Sequence, residues 1–188
     1  MRRRTALQLA GTTLLGGLAG CSAVTESRLR DPRTEREDDQ THHVYTRGEE
    51  RILEVSALRF GVPAPEYAIP LKLFVWHRGG THLDAVRYEI QLNEPGKPLP
   101  EVFMTRLSGY PTPRVTFGRN READATVVDI PELGSQGTGS FGLDLVVVPF
   151  GDWEERVVTV RYDLDLSQNG VDPRRYTASD ALEFPVTR

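Results

Sequence analysis

The sequence contains one cysteine, two lysines and no long apolar run. With Cys21 alone, no disulfide can form within the chain, so the fold must hold by packing. The chain carries 23 basic against 27 acidic residues, and its only lysines are Lys72 and Lys97. This acidic balance argues against a nucleic-acid partner, because phosphate binding requires a basic face. No Asn-x-Ser/Thr triplet occurs, so N-glycosylation is not expected.

The most apolar stretch, from Ala6 to Ala19, is too short and too rich in glycine to span a membrane, which takes roughly 20 apolar residues. Arg3 and Arg4 precede it in a pattern that resembles the twin-arginine export motif, and Leu18 to Cys21 resembles a lipobox. These features predict a signal over residues 1–21, lipidation of the cysteine, and anchoring at the outer face of the cytoplasmic membrane. The remaining chain has 20 basic and 27 acidic residues, a net charge of -7.

The next segment, residues 22–50, is highly charged and nearly free of large apolar side chains. Such a composition buries too little apolar surface to offset the entropy of ordering the chain. We therefore expect a disordered tether that lifts the following domain off the lipid. His42 and His43 lie near its end, where two adjacent ligands favour a polar linker over a metal site.

Residues 51–188 alternate apolar and polar side chains with a period of two, and turn residues separate the stretches. The clearest stripes lie at Tyr67–Val75, Val86–Leu92, Phe141–Val147 and Val158–Leu166, with weaker ones at Ile52–Phe60, Val102–Leu107, Arg114–Arg119, Ala125–Ile130 and Leu182–Val186. Eight or nine short strands with one apolar face each predict an antiparallel β-sandwich in an all-β domain.

Two stretches, Ile130–Ser135 and Gly139–Leu145, resemble the corner and following strand of immunoglobulin-like modules. The acidic, arginine-rich and lysine-poor composition looks like that of haloarchaeal proteins, although a GC-rich genome alone produces much of the same bias. Taken whole, the chain resembles haloarchaeal lipoproteins with a twin-arginine signal, a polar tether and one immunoglobulin-like domain. The resemblance implies the fold and the location but no particular ligand.

The densest polar cluster runs from Trp76 to Asp84. If the turn at Gly79-Gly80 folds them together, His77, His82 and Asp84 form a facial set of two histidines and one carboxylate, which suits a transition metal. The alternative is a hairpin whose flanking polar groups face water.

The stretch from Asp163 to Asn169 has oxygen-bearing side chains at alternate positions, as a calcium loop does, but Gln168 stands where an EF-hand requires glycine. A solvated strand face is the competing interpretation. No nucleophile-elbow serine and no phosphate loop leading into a helix occurs, so the sequence predicts neither a catalytic site nor a cofactor.

Apolar residues on the polar side of two stripes suggest a docking surface. They are Phe74 and Trp76 on one strand, and Val146 and Val148 on the other. If the two strands are neighbours, these residues form an outer patch for a protein or envelope partner, with Trp76 as its anchor. The alternative is that the proline-rich segment 95–113 folds over them. The sequence therefore predicts a non-catalytic cell-surface lipoprotein, with a metal- or small-ligand-binding module as the alternative.

Overall fold

The computed structural model describes residues 24–37, 40–60, 67–92, 98–107, 112–151, 155–170 and 173–187. These residues form strands and one short 3-10 helix at Gly134–Gly137. The strands are β1 (Thr25–Leu29), β2 (Arg33–Glu37), β3 (Gln40–Arg47), β4 (Glu50–Arg59), β5 (Ile69–His77), β6 (Thr81–Leu92), β7 (Glu101–Leu107), β8 (Thr116–Asn120), β9 (Ala125–Ile130), β10 (Phe141–Val148), β11 (Glu155–Gln168) and β12 (Arg174–Thr187). The stripes predicted between residues 51 and 188 all correspond to strands.

The strands form two six-stranded sheets that pack face to face. The first sheet has the order β1-β12-β11-β6-β9-β8, and the second has the order β2-β3-β4-β5-β10-β7. The described neighbours pair antiparallel, with the exception of β1 and β12, which are parallel. The prediction of an antiparallel β-sandwich in an all-β domain is therefore confirmed.

The alternating apolar residues of both sheets meet in one core. Leu71, Leu73 and Val75 of β5 are fully buried, as are Val160 and Leu166 of β11. Burial of each such side chain contributes on the order of 1.5–3 kcal/mol to the stability of the fold. The first stripe begins later than expected, because the residue at position 67 precedes β5 and is exposed.

The segment expected to be a disordered tether, residues 22–50, contains three strands. β1 pairs in register with the start of β12, β2 pairs with β3, and β3 pairs with β4. The alternate residues Thr41, His43 and Tyr45 point into the sandwich and are buried. The prediction is corrected for a physical reason: edge strands gain backbone hydrogen bonds whatever their side chains, and the inward polar groups find partners. Thr41, for example, donates to the carbonyl oxygen of Glu183 at 3.1 Å.

The sandwich has two lateral edges. β12 packs against β3 and β4, and β6 packs against β5, so the two sheets run in the same lateral order. The outermost strands are β1 and β2 at one side, which we call the N-terminal edge. At the other side they are β8 and β7, which we call the β7–β8 edge.

No helix among the described residues is long and apolar enough to cross a membrane. Residues 1–23, which include Arg3, Arg4 and Cys21, lie outside the described residues. Export through the twin-arginine motif and lipidation of the cysteine therefore stay predictions.

Candidate functional site

The turn at Gly79-Gly80 lies between the candidate metal ligands, and it joins the two sheets instead of closing a hairpin. Gly80 has a φ of +82°, a left-handed conformation that glycine adopts without strain. Before the turn, His77 is buried and its Nδ1 donates to the Thr81 hydroxyl at 2.8 Å. That hydroxyl donates in turn to the carbonyl oxygen of Arg78 at 2.6 Å. Burial lowers the pKa of His77, with a smaller opposing effect of nearby backbone carbonyls.

After the turn, His82 and Asp84 of β6 come together. His82 Nδ1 lies 3.0 Å from a carboxylate oxygen of Asp84, and His82 Nε2 lies 2.6 Å from the carbonyl oxygen of Gly134. The hydroxyl of Ser167 donates to the same Asp84 oxygen at 2.9 Å. Both imidazole nitrogens of His82 thus already face oxygen acceptors, which leaves neither of them directed at a metal.

The candidate set of two histidines and one carboxylate does not come together as a metal site. In the part of the chain that the structure describes, no group of three or more histidine, cysteine or carboxylate side chains is placed to hold a metal ion. Of the predicted set, His82 and Asp84 contact each other, whereas His77 is bonded to Thr81 instead.

The two weaker candidates for a metal site also lie in β-strands. The calcium-like stretch belongs to strand β11 up to Gln168. Within it, the Asp163 carboxylate accepts a hydrogen bond from Ser179 on the neighbouring strand β12. This is the solvated strand face that was the competing interpretation. His42 and His43 are successive residues of β3 and point to opposite faces of the sheet, so they cannot share a metal ion.

The outer face of the second sheet carries a polar cluster that the sequence did not reveal. His42 Nδ1 donates to a carboxylate oxygen of Glu54 at 2.8 Å, and Ser56 donates to the same oxygen at 2.9 Å. Arg51 pairs with Glu54, and its guanidinium lies 4.9 Å from the centroid of the Trp76 ring. The signal was present in the period of two, which places Glu54 and Ser56 opposite the apolar stripe of β4.

This cluster has the residue types of a hydrolytic triad without its geometry. A triad requires the hydroxyl and the carboxylate at different nitrogens of the histidine. Here the Ser56 oxygen lies 2.9 Å from His42 Nδ1, the same nitrogen that donates to Glu54. Ser56 is also only 1% exposed. The cluster is therefore a structural hydrogen-bond network.

A second polar network lies inside the sandwich and joins the N-terminal edge to the core. The Tyr162 hydroxyl of β11 is 2.8 Å from His43 Nδ1 and 2.7 Å from the Tyr45 hydroxyl, both of β3. Burial lowers the pKa of His43, and the Asp180 carboxylate at 4.0 Å opposes that effect. Burial raises the pKa of Tyr45 to about 12 and also raises the pKa of Tyr162. The network holds β3 against the opposite sheet.

The predicted apolar patch forms only in part. β5 and β10 are indeed neighbours, which places Phe74, Trp76, Val146 and Val148 on the outer face of the second sheet. All four are half-buried. Trp76 is thus neither freely exposed nor fully covered, and the Arg51 guanidinium stacks on its ring.

A charged row divides this patch into two halves. Lys72, Asp144 and Arg106 are paired across β5, β10 and β7, and Lys72 Nζ lies 3.9 Å from Asp144. Beside the row, Gly142 has no side chain to fill the surface, so a cavity of about 180 Å³ opens next to Phe74. The four apolar residues therefore do not make one continuous docking surface.

The proline-rich segment does not fold over the patch as the alternative proposed, at least within residues 98–107. These residues run beside β10 as strand β7, in the plane of the sheet. Val102 and Leu107 face the core, whereas Phe103 is 52% and Met104 is 38% exposed. The cross-strand partner of Phe103 is Val146 of the predicted patch. The exposed apolar surface thus lies one strand further out than the sequence suggested.

Across the lateral opening from β7, strand β8 presents a second exposed aromatic ring. Phe117 is 45% exposed. A cleft of about 340 Å³ lies between the two edge strands and is lined by residues of both, including Val102, Phe103, Phe117 and Arg119. At its floor, the Thr126 hydroxyl donates to the carbonyl oxygen of Pro100 at 3.1 Å. Sequence reasoning missed this cleft, because which strands become sheet edges depends on the topology.

Comparison with solved structures finds distant likenesses. The chain is similar to a collagen-binding domain from a Staphylococcus aureus adhesin, with 12% identity, a TM-score of 0.36, and coverage of 66% of this chain and 95% of that one. It is similar to a cohesin module from a Clostridium perfringens family 33 glycoside hydrolase, with 12% identity, a TM-score of 0.38, and coverage of 65% and 85%. It is also similar to AvmM, which catalyses macrocyclisation in alchivemycin A biosynthesis, with 12% identity, a TM-score of 0.36, and coverage of 84% and 97%.

Comparison at the level of sequence gives a family. No curated protein matches the chain. One family model, described as a domain of unknown function (DUF8121), matches residues 26–188. The match begins within β1 and includes every later strand, so the family domain contains the N-terminal strands as well as the rest of the sandwich. The chain belongs to the DUF8121 family.

Proposed function

We propose that this chain is a non-catalytic protein, lipid-anchored at the outer face of the cytoplasmic membrane, that binds an extended, acidic segment of a partner protein. The binding site in this proposal is the β7–β8 edge. The observation that carries it is the exposure of Phe103 and Met104 on an edge strand, opposite Phe117 across a cleft.

Exposed apolar side chains on an edge strand favour strand-like recognition. An edge strand offers unpaired backbone N–H and C=O groups, and natural proteins usually protect such edges with charges or proline. Among the described residues, β7 pairs only with β10 and β8 pairs only with β9. An extended segment that pairs with such an edge gains backbone hydrogen bonds, while alternate side chains enter apolar pockets.

The charge of this edge favours an acidic segment. Four arginines, Arg106, Arg114, Arg119 and Arg121, lie on or beside β7 and β8, together with three carboxylates, Glu101, Glu122 and Asp124. The net charge of this edge is thus +1, whereas the chain as a whole has a formal charge of -4. Complementary charge speeds association and selects among partners more than it adds affinity.

The non-catalytic part of the proposal rests on the polar clusters. The His42, Glu54 and Ser56 cluster lacks relay geometry, and His82 is held by acceptors at both nitrogens. The anchor rests on the lipobox-like residues that end at Cys21. Cys21→Ser should release the protein from membranes, as measured by fractionation with detergent partitioning. Wild-type protein recovered free in the medium would disprove the anchor.

Site-specific photocrosslinking on native membranes tests the docking site. A photoreactive phenylalanine analogue replaces Phe103 in the full-length chain, and the matched control carries it at Glu35 on the exposed N-terminal edge. We expect adducts from position 103 that map to an acidic, extended segment of another protein, and loss of these adducts in Arg106→Glu/Arg119→Glu. Equal adducts from both positions, adducts with a second copy of this chain, or no adduct from position 103 would each contradict the proposed site.

A further inference from the structure

The chain enters the sandwich at a defined end. Thr25, the first residue of β1, pairs with Arg174, the first residue of β12, and its N–H donates to the carbonyl oxygen of Pro173 at 3.3 Å. The same end holds the end of β11, which pairs with Thr81 at the start of β6. We call it the entry end, and it also contains the turns at Gly48, Gly80 and Gly170.

Very little chain separates the proposed lipidation site from this end. Four residue steps lead from Cys21 to Thr25. A fully extended chain covers at most about 3.6 Å per residue, so the span is at most about 14 Å. By comparison, the fourteen residues of β11 extend over roughly 46 Å at about 3.3 Å per residue. A lipid on the cysteine therefore cannot reach the opposite end of the sandwich.

The entry end contains most of the glycines that have a positive φ in the described part of the chain. Six of the described glycines have a positive φ; five of them lie here, at Gly48, Gly80, Gly134, Gly139 and Gly170, and the sixth is Gly151 at the opposite end. The connections from β3 to β4 and from β5 to β6 have only two and three residues, which keeps these strand ends close to the body of the domain. The charges here are also balanced, since Arg47, Arg78, Arg174 and Arg175 accompany Glu49, Glu50 and Glu132. A low, nearly neutral surface can approach a layer of lipid headgroups closely.

We propose that the entry end of the sandwich lies directly against the lipid headgroups, and that no flexible tether separates the domain from the membrane. This inference rests on the proposed lipid anchor at Cys21. In this orientation the strands rise away from the bilayer, with the turn between β8 and β9 at the far end. The β7–β8 edge then stands upright and stays accessible from the side, so a partner segment binds along the membrane normal.

Fluorescence quenching in vesicles tests the orientation. The lipidated full-length protein is placed in phosphatidylcholine–phosphatidylglycerol vesicles that contain a lipid with a nitroxide on its headgroup. One variant, Ser135→Cys, carries a fluorophore at the entry end, and the matched variant, Glu122→Cys, carries it at the far end; both positions are exposed. A second pair has a glycine–serine spacer of about 20 residues, roughly 25 Å in coil dimension, inserted after Ala23.

We expect the fluorophore at position 135 to lose most of its emission and the fluorophore at position 122 to lose little. The spacer should bring the quenching at position 135 down to the level at position 122. Equal quenching at both positions without the spacer, or stronger quenching at position 122, overturns the orientation. Flotation of the vesicles separates this failure from that of the anchor, because a protein that does not float with lipid disproves lipidation and not merely the orientation.

Discussion

At the N-terminal edge the outermost strands are lined with arginine and glutamate, whereas the β7–β8 edge carries phenylalanine and methionine. Every residue of β2 is exposed, and its charges pair locally: Arg33 contacts Glu35, and Arg36 lies 3.5 Å from Glu183. On β7, five of seven residues are exposed, and two of them are Phe103 and Met104. Both edges close the same core, but only one has a surface that discourages pairing with another chain.

The difference indicates that the two edges have different roles. Charges on an edge strand prevent unwanted addition of strands, because pairing would bury them. If β7 and β8 only covered the core, the same charges would serve there as well. An edge that keeps large apolar side chains exposed carries a risk of aggregation unless a partner covers them. The predictions below test this contrast, from the largest expected effect to the smallest.

Removal of the N-terminal edge should have the largest effect. A chain that begins at Arg51 lacks β1, β2 and β3, and with them the buried side chains of His43 and Tyr45. It exposes core residues and leaves the buried Tyr162 hydroxyl without its partners, which alone costs about 1–3 kcal/mol. We expect no cooperative unfolding transition in urea, as followed by circular dichroism. The matched control begins at Val24 and should unfold cooperatively; equal midpoints for both chains would show that the N-terminal strands are dispensable.

This prediction reverses the expectation from the sequence, in which residues 51–188 form the domain and residues 22–50 are a disordered tether. The alternation of apolar residues in β5, β6, β10 and β11 was enough to predict the sandwich, because each of these strands buries one face. The N-terminal strands cannot be predicted from periodicity, because β1 and β2 have no apolar face and because β3 buries threonine and histidine. Their inward position becomes favourable only through partners on the opposite sheet, such as Tyr162, which no local pattern reveals.

The candidate site, like the fold, could be predicted only in part from the sequence. The sequence placed Phe74 and Val146 opposite the apolar stripes of their strands, and the condition that β5 and β10 are neighbours is met. It could not show that Lys72 and Asp144 would divide that face, since this depends on the register. It also could not show that β7 would become an edge strand and leave Phe103 exposed. Periodicity identifies which face a residue occupies, but topology decides whether another strand covers it.

Tyr162→Phe should weaken the attachment of the N-terminal edge to the opposite sheet and leave the β7–β8 edge unchanged. The substitution removes the hydroxyl that contacts both His43 and Tyr45 and leaves their buried polar atoms unsatisfied. We expect a loss of about 1–3 kcal/mol in the free energy of unfolding. The matched control is Tyr176→Phe, whose hydroxyl makes one partly buried bond to Gln168 at 3.1 Å and should cost about 0.5–1.5 kcal/mol. A smaller loss for Tyr162→Phe than for Tyr176→Phe would contradict the proposed role of the network.

Acid should destabilise the fold through two buried histidines. Burial lowers the pKa of His43 and of His77 below the ordinary 6.5, so the unfolded chain binds protons that the folded chain does not. Stability is therefore complete above pH 6.5 and falls as the pH drops towards the folded pKa values, by up to about 1.4 kcal/mol per pH unit for each histidine. For His43, Asp180 reduces this effect and Arg36 adds to it.

Urea midpoints at pH 7.5 and 5.5 check this dependence. The variant His43→Gln/His77→Gln should show a smaller difference between the two pH values than the wild-type chain, whatever its absolute stability. A variant that loses as much stability on acidification as the wild-type chain would show that other groups cause the acid sensitivity.

Exchanging apolar and charged side chains between the two edges should change how strongly the protein associates with other chains and barely change its free energy of unfolding. Phe103→Glu/Met104→Glu places charges on β7, where both side chains are exposed, and Glu35→Phe places an aromatic ring on the exposed strand β2. Substitutions at such surface positions usually change the free energy of unfolding by less than about 0.5 kcal/mol. In light scattering of the full-length protein in detergent, we expect Glu35→Phe to self-associate more than wild type and the β7 variant to self-associate no more than wild type. The β7 variant should also lose photocrosslinks from a reporter placed at Phe117. If it instead loses several kcal/mol of stability, Phe103 and Met104 belong to the core, and the contrast between the two edges disappears.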